Sequence, residues 1–172
     1  YTSRFLRYFK INKDNQHIGA NFNITNIFLS FTFDIFNNTF SLILSYFYGY
    51  DQDFHAADDN CKSTYGGSLA APSTDQENMY IRQQLTEYYA VVNPSEEVHV
   101  WMGLYEYLNL TNGIPYWRFT NEEPVNFGDW YQGEPYLDAY ASFTGNILAG
   151  RFFHWAVFEG RIPYPFICEY KV

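Results

Sequence analysis

Two cysteines, Cys61 and Cys168, constrain this 172-residue chain more than any other feature. They lack the C-x-x-C spacing of a metal site, so they are either two unrelated thiols or the two halves of one disulfide. A bond between them would enclose most of the chain and stabilise the fold by roughly 4–5 kcal/mol in the chain-entropy model. It would also place the protein in an oxidising compartment.

The charge of the chain is unevenly distributed. The formal net charge is −9, yet residues 1–43 carry four basic and two acidic side chains, so the acidic excess lies in residues 44–172. An acidic domain repels phosphate backbones, and we therefore expect no nucleic-acid partner. Aromatic residues make up 22% of the chain, which suits a core built from many short strands.

Residues 1–43 differ in composition from the rest, being rich in Asn, Phe and Ile with few turn or cap signals. We treat them as an N-terminal extension, which is an edge hairpin, a leader, a fragment or a non-native segment, and residues 44–172 as the domain. No apolar run reaches the ~20 residues of a membrane span, so a membrane tether is not visible in this chain. The sequons at Asn23, Asn37 and Asn109 are candidate glycosylation sites of a secreted protein.

Helical signals occupy only the first half of the domain. Gly66 and Gly67 are typical of a helix end, and Thr74 with Glu77 forms a capping box that begins a second helix. An alternating strand follows from Val98, and beyond it lie many turn-forming Gly, Pro and Asn residues. We predict an α+β domain in which two helices flank antiparallel strands, with a long loop region. The two apolar helical faces are Phe54, Ala57 and Cys61, and Ile81, Leu85 and Tyr88.

Six short motifs, in order, resemble those of the C-type lectin-like family, in a short form with one core disulfide. The resemblance covers about three quarters of the chain, with Phe54 standing where the family has Trp. The matching residues are Phe54, Ala57 and Cys61 for W-x-x-A-x-x-x-C; 66–70 for G-G-x-L-A; Glu77 and Asn78 for E-N; 101–104 for W-I-G-L; 129–135 for N-W-x-x-G-E-P; and 166–169 for F-I-C-E.

The resemblance implies several structural features. Cys61 and Cys168 would pair and join the first helix to the last strand, and Gly103 would let a neighbouring backbone approach closely. The Glu134–Pro135 bond resembles one that is cis in sugar-binding members. Three tryptophans would fill the core, namely Trp101, Trp117 and Trp130.

The residues that hold calcium in sugar-binding members are largely replaced. Tyr136 stands where the family has the Asn of E-P-N, and Ala156 and Val157 stand where it has the Asn and Asp of W-N-D. Ca²⁺ needs about six to eight oxygen ligands, and Glu134 with Asp138 supplies too few. We therefore expect no cofactor and a degenerate calcium and sugar site. Ca²⁺ held in part by Glu134 and Asp138 is the alternative.

The inner disulfide of the family is also missing, since its positions fall near Thr144 or Asn146 and at Gly160. That bond normally braces the long loop. We therefore predict that the chain from Tyr136 to Arg151 is a mobile loop.

The candidate ligand-binding residues are Glu134, Tyr136, Asp138, His154 and Trp155. Aromatic side chains with a polar tip suit either sugar stacking or protein contact. Half of the aromatic set is expected in the core and half on the ligand face. That set is Tyr131, Tyr136, Tyr140, Phe143, Phe152, Phe153 and His154.

The function indicated is an extracellular recognition module that binds a glycan or protein ligand, and the chain is not expected to be an enzyme. The alternative is a calcium-dependent carbohydrate-binding lectin with an altered site. A remote alternative is a hydrolase with paired carboxylates, Glu122 with Glu123 or Asp129 with Glu134. Adjacent carboxylates usually point apart, and the chain has no nucleophile motif such as G-x-S-x-G.

Overall fold

The computed structural model describes residues 24–34, 39–92, 94–108, 111, 113, 115–136 and 140–171. The helices are α1 (Phe54–Tyr65) and α2 (Asp75–Val92). The strands are β1 (Ile24–Asp34), β2 (Thr39–Gln52), β3 (Ser68–Leu69), β4 (Val98–Leu108), β5 (Pro115–Phe119), β6 (Tyr140–Asn146), β7 (Arg151–Phe158) and β8 (Tyr164–Lys171).

The described strands form a single sheet in the order β1-β2-β8-β4-β6-β7, with β3 paired to β8 and β5 paired to β4. All of the pairings are antiparallel except that between β4 and β8, where Trp101 lies opposite Phe166. The α+β class with two helices flanking antiparallel strands is therefore confirmed, and the one parallel pairing makes the sheet mixed.

Local signals end α1 and begin α2 where the sequence predicts. Asp53 caps α1 by accepting the N–H of Ala56 at 2.8 Å, and Gly66 ends it in the left-handed conformation at φ 65°. Thr74 and Glu77 exchange backbone-to-side-chain hydrogen bonds of 3.2 Å ahead of α2. These caps satisfy backbone groups that a helix end would otherwise leave unpaired.

The sheet buries a different face under each helix. Successive residues of a strand point to opposite faces, and in β4 the indole of Trp101 joins the cluster under α1 while Val100 and Met102 join the cluster under α2. Strand β8 alternates in the same way, with Cys168 on the α1 side and Ile167 on the α2 side. Trp101 is fully buried, whereas Trp117 and Trp130 are partly buried against the α2 cluster.

The disulfide implied by the resemblance is present. Cys61 in α1 and Cys168 in β8 are bonded across 107 residues, and both are buried. The predicted close approach at Gly103 is also confirmed, because a Cβ there would lie 2.7 Å from the carbonyl oxygen of Leu69.

The predicted loop from Tyr136 to Arg151 is wrong at its centre. Residues 140–146 form β6, which pairs with both β4 and β7, and Ala141 and Phe143 are fully buried. Gly145 suits this strand because the ring of Phe153 lies where a Cβ would point, 3.1 Å away. The ring of Tyr140 lies beside Gly160, the position of the missing inner cysteine, at 2.6 Å from where a Cβ would stand.

Strand β2 runs across the boundary that we predict between residues 43 and 44, pairing with β1 on one side and β8 on the other. Whether residues 1–43 form a separate extension stays a prediction. The candidate glycosylation sites Asn23, Asn37 and Asn109 lie outside the described residues.

Candidate functional site

The segment 129–136, here called the site loop, lies beside the outer edge of β7. The backbone N–H of Trp155 donates to the carbonyl of Asp129 at 2.8 Å, and the N–H of Tyr131 donates to the carbonyl of Trp155 at 2.7 Å. The next residues turn, since the N–H of Glu134 donates to the carbonyl of Tyr131 at 2.9 Å. Gly133 has φ 95°, a conformation that glycine adopts in such a turn without strain.

The carboxylate of Asp129 joins the site loop to α2 and β7. Its Oδ2 accepts the side-chain amide of Asn78 at 2.7 Å and a guanidinium N–H of Arg82 at 2.6 Å. Its Oδ1 lies 2.9 Å from Nδ1 of His154. Hydrogen bonds to a charged partner are about twice as strong as neutral ones, so this half-buried carboxylate holds the start of the loop in place.

His154 stands between two charged groups. Its Nδ1 faces Asp129, and its Nε2 lies 3.4 Å from Nη2 of Arg82. A guanidinium has donors and no acceptor, so a hydrogen bond from Arg82 to Nε2 leaves Nδ1 as the nitrogen that donates to Asp129. The side chain is 37% exposed, and its ring lies 6.3 Å from the ring of Tyr131.

Trp155 is fully buried, in contrast to its neighbour. Its indole N–H donates to the side-chain oxygen of Asn78 at 2.9 Å, and its ring packs against Phe127 and Trp130. In this structure it has no surface to present to a ligand. Its contribution to the candidate site is support for the loop and for His154.

Glu134 and Tyr136 form the outer part of the site loop. A carboxylate oxygen of Glu134 accepts the backbone N–H of Tyr136 at 3.1 Å, and the Glu134–Pro135 bond is cis. The side chain of Tyr136 is 66% exposed, with its hydroxyl over Gly133. Asp138, the remaining candidate ligand-binding residue, lies outside the described residues.

The aromatic set divides between core and surface. Phe143 and Phe153 are fully buried, while Tyr131, Tyr136 and Phe152 are exposed. Tyr140 and His154 are partly buried. The hydroxyl of Tyr140 lies 3.0 Å from Nε2 of His55.

The structure also places the residues that stand at the family's calcium-ligand positions and the carboxylates of the alternative hydrolase. Ala156 and Val157 are 5% and 8% exposed and carry no side-chain oxygen. Within the part of the chain that the structure describes, no three His, Cys, Asp or Glu side chains come together as a metal-binding group. Glu122 is 77% exposed and paired with Arg118 at 2.9 Å.

Sequence reasoning missed the network that centres on Asp129. Asn78 appeared only as part of a family motif, and Arg82 was not singled out. One signal was available: the two residues are four apart in a helix, so they lie on the same face. Their shared partner could not be read from spacing, because Asp129 lies 51 residues from Asn78 and 47 from Arg82.

The structure defines a class of protein. It is an α+β domain that is closed by a disulfide and has one helix on each face of a mixed sheet. The family model described as the lectin C-type domain matches residues 50–170, and the chain belongs to that family. Domains of this family are typically recognition modules without enzymatic activity.

Solved structures share the fold. Human lithostathine aligns with a TM-score of 0.61 at 20% identity, covering 76% of this chain and 92% of that one. The Ca²⁺-independent C-type lectin SPL-2 from Saxidomus purpuratus aligns with a TM-score of 0.58 at 18% identity, covering 74% and 86%. The C-type lectin CEL-I from Cucumaria echinata aligns with a TM-score of 0.56 at 16% identity, covering 76% and 90%. At these identities the likeness establishes the fold alone.

None of the described helices combines the length and the apolar character that crossing a bilayer requires.

Proposed function

We propose that this chain is an extracellular recognition domain that binds a glycan or protein ligand through the site loop, without the usual calcium-dependent sugar site. Membership of the lectin C-type family supports a recognition role. The observation that carries the calcium-independent part is the pair Ala156 and Val157, which are almost buried and oxygen-free where sugar-binding members have two ligands.

Among the residues that the structure describes, the oxygen donors of the site loop do not fit Ca²⁺, which prefers about six to eight oxygens. One carboxylate oxygen of Glu134 is already engaged by the backbone N–H of Tyr136. The carboxylate of Asp129 accepts from Asn78 and Arg82 and faces His154, so it is committed to holding the loop. We propose that these hydrogen bonds do the positioning that the ion does in sugar-binding relatives.

The exposed side chains of the site loop suit a ligand contact made by aromatic rings. Tyr131 and Tyr136 each offer an apolar ring with a polar tip, and Glu134 lies between them in sequence. A tyrosine ring can pack on the C–H face of a sugar while its hydroxyl forms a hydrogen bond, and the same ring can anchor a protein partner.

The test is binding to a glycan array and to a panel of purified extracellular proteins, each run with added calcium and with a chelator. We expect binding that the chelator leaves unchanged and that Tyr136→Ala weakens about tenfold or more, corresponding to ~1.4 kcal/mol. Tyr116→Ala is the matched control, because Tyr116 is also an exposed tyrosine but lies in β5. Loss of binding in the chelator, or equal loss in both variants, would refute the proposal.

The competing function is a calcium-dependent lectin with an altered site, which the carboxylate of Glu134 on the loop favours. Titration calorimetry with CaCl₂ alone separates the two. Saturable binding at millimolar or tighter affinity that Glu134→Ala abolishes and Glu159→Ala retains would favour the lectin, since Glu159 is exposed outside the site loop.

We also propose that the domain is extracellular, because its disulfide is buried and structural and such bonds persist in oxidising compartments. Expression in a secretory host with and without a glycosidase treatment tests the sequons at Asn23, Asn37 and Asn109. A mass shift on treatment would support secretion and glycosylation, and unmodified protein retained in the cytosol would contradict both.

A further inference from the structure

We propose that an N-linked glycan on Asn109 packs on two exposed tyrosines at the end of the β4–β5 hairpin and stabilises the hairpin. This rests on the proposed function in one respect, namely that the chain passes through a secretory pathway, where such glycans are added. The glycan would then have a defined contact surface on the protein and a physical role in its stability.

The surface is a pair of tyrosines, here called the tyrosine pair, which are Tyr107 in β4 and Tyr116 in β5. They are directly opposite each other in the strand register, so their side chains share one face of the hairpin. Both are exposed, and so is Leu108, the last residue of β4. Several large apolar groups exposed at one place mark a contact surface more often than single exposed residues do.

Neighbouring side chains hold the tyrosine pair in a fixed arrangement. The two ring centroids are 5.4 Å apart with an interplanar angle of 60°. The ring of Tyr105 lies 6.4 Å from that of Tyr107, and the guanidinium carbon of Arg118 lies 5.5 Å from the centroid of Tyr107. Arg118 is itself held by Glu122 at 2.9 Å. Because the rings are already oriented, a contact on them costs little additional side-chain freedom.

The attachment point for the glycan follows the tyrosine pair directly in the sequence. Asn109 comes after Leu108 and forms a sequon with Thr111. Asn109 itself lies outside the described residues, so its place is taken from the sequence alone. It stands two residues after Tyr107, which is a step of about 6.5–7 Å in an extended chain, and residues two apart in such a chain share a face. A glycan on Asn109 therefore begins beside the tyrosine pair.

The chemistry of the first sugar suits these rings. In the transfer, the side-chain nitrogen of Asn109 bonds to C1 of N-acetylglucosamine, the bond from C1 to the diphosphate of a lipid-linked donor breaks, and the nitrogen loses a proton. The sugar then offers an apolar C–H face and an N-acetyl methyl group, which pack on an aromatic ring whose hydroxyl stays in water. Because the sugar is covalently tethered, this contact forms at a high effective concentration.

The first experiment uses the full chain secreted from a host that attaches N-glycans. Peptide mass mapping is expected to find a glycan on Asn109. The N-acetyl methyl NMR signal that Asn109→Gln removes is expected to be shifted upfield in the wild type by the tyrosine rings. Asn109→Gln should also unfold at a temperature about 2–4 °C lower than the wild type. Unmodified Asn109, or a methyl signal at the position of a free glycan, would overturn the proposal.

A double-mutant cycle separates the ring contact from other effects of the glycan. In a Tyr107→Ala background, Asn109→Gln is expected to leave the unfolding temperature nearly unchanged, whereas Tyr107→Phe keeps the ring and should retain the full difference. Tyr136→Ala is the matched control, because Tyr136 is an exposed tyrosine on the site loop, and it should also retain the difference. An equal effect of the glycan in Tyr107→Ala and wild type would refute the contact. Should Tyr107→Ala fail to fold, the methyl signal of the wild type decides.

Two further outcomes have separate meanings. If a second copy of the chain covers the tyrosine pair instead, sedimentation will show dimers that Tyr107→Ala dissociates, and the proposal is then wrong. Retention of the chain in the cytosol would refute secretion and this inference together, whereas a secreted chain without a glycan on Asn109 would refute this inference alone. Asn109→Gln should leave ligand binding through the site loop unchanged, so a failure of Tyr136→Ala to weaken binding bears only on the proposed function.

Discussion

The buried carboxylate of Glu169 accepts the backbone N–H of Ala71 at 2.9 Å, and these two residues are 98 positions apart. The other carboxylate oxygen accepts the side-chain amide of Asn121, also at 2.9 Å. Glu169 follows the disulfide cysteine Cys168 in β8, so it fixes two connecting segments onto the same strand as the disulfide.

Removing this carboxylate leaves the buried N–H of Ala71 and the partly buried amide of Asn121 without this partner. We expect Glu169→Ala to lower the free energy of unfolding by about 2–4 kcal/mol, since each unsatisfied buried group costs ~1–3 kcal/mol. Glu169→Gln keeps the volume but can offer an acceptor to only one of the two donors. Its free energy of unfolding should therefore lie between those of wild type and Glu169→Ala. Urea denaturation measures both, with the exposed Glu159→Ala as the control; a loss as small as that of Glu159→Ala would contradict the assignment.

The disulfide closes a loop of 107 residues, and its removal frees the unfolded chain. We expect the double variant Cys61→Ala and Cys168→Ala to lose roughly 4–5 kcal/mol of unfolding free energy by the chain-entropy model. Guanidinium denaturation of the variant and of wild type, each with and without reductant, checks this value. Reductant should shift the midpoint of the wild type alone, and identical midpoints for variant and oxidised wild type would contradict the prediction.

His99 makes the fold sensitive to acid. Burial lowers the pKa of His99, against a smaller upward effect of the nearby Glu97, and Nδ1 contacts the hydroxyl of Thr144 at 3.1 Å. The unfolded chain therefore binds a proton at a higher pH than the folded one, so stability falls as the pH drops below about 6.5, the ordinary value for histidine.

The measurement for His99 is the urea midpoint at a series of values between pH 8 and pH 5.5. His99→Gln keeps a polar partner for Thr144 and should reduce the loss of stability on acidification. His55→Gln serves as the control and should leave it unchanged. Equal pH slopes in wild type and His99→Gln would show that burial of this imidazole does not govern the acid response.

Gly103 tests the packing between β4 and β3. A Cβ at this position would lie 2.7 Å from a backbone oxygen of Leu69, and the N–H of Gly103 donates to the carbonyl of Ala70 at 2.8 Å. Because a backbone cannot swing aside as a side chain does, we expect Gly103→Ala to cost about 2–3 kcal/mol. Gly113→Ala is the reference. A Cβ at Gly113 would meet open space, but φ is 69°, so this substitution is expected to cost only the strain of the left-handed conformation, about 1–2 kcal/mol. Thermal unfolding ranks the two, and a smaller loss for Gly103→Ala would contradict the packing argument.

The features that the sequence predicted correctly are those decided by near neighbours or by a family pattern. The caps at Gly66 and at Thr74 with Glu77 follow from local hydrogen bonding. The pairing of Cys61 with Cys168 came from the resemblance and is confirmed.

The failures arise where distant contacts decide the outcome. Residues 144–146 resemble a turn in sequence, yet β4 and β7 pair with β6 on both sides and Phe153 covers Gly145. Tertiary packing overrides local propensity in this strand. The network of Asp129 was missed for the same reason, since its partners come from a helix and a strand far along the chain.

The candidate site was predicted only in part. Glu134, Tyr136 and His154 lie on or beside the site loop, while Trp155 lies under it, because alternation along β7 sends adjacent residues to opposite faces. The ligand-binding roles of these residues remain predictions.

The separation of the two cores by the sheet has a practical consequence. Cys168 belongs to the α1 cluster, whereas Trp155 belongs to the α2 cluster and makes the backbone bonds that hold the site loop. Residues 132–136 can therefore be randomised in a display library while the covalent crosslink and its surrounding side chains stay untouched. The domain offers protein engineers a scaffold whose variable segment and whose stabilising bond can be altered independently.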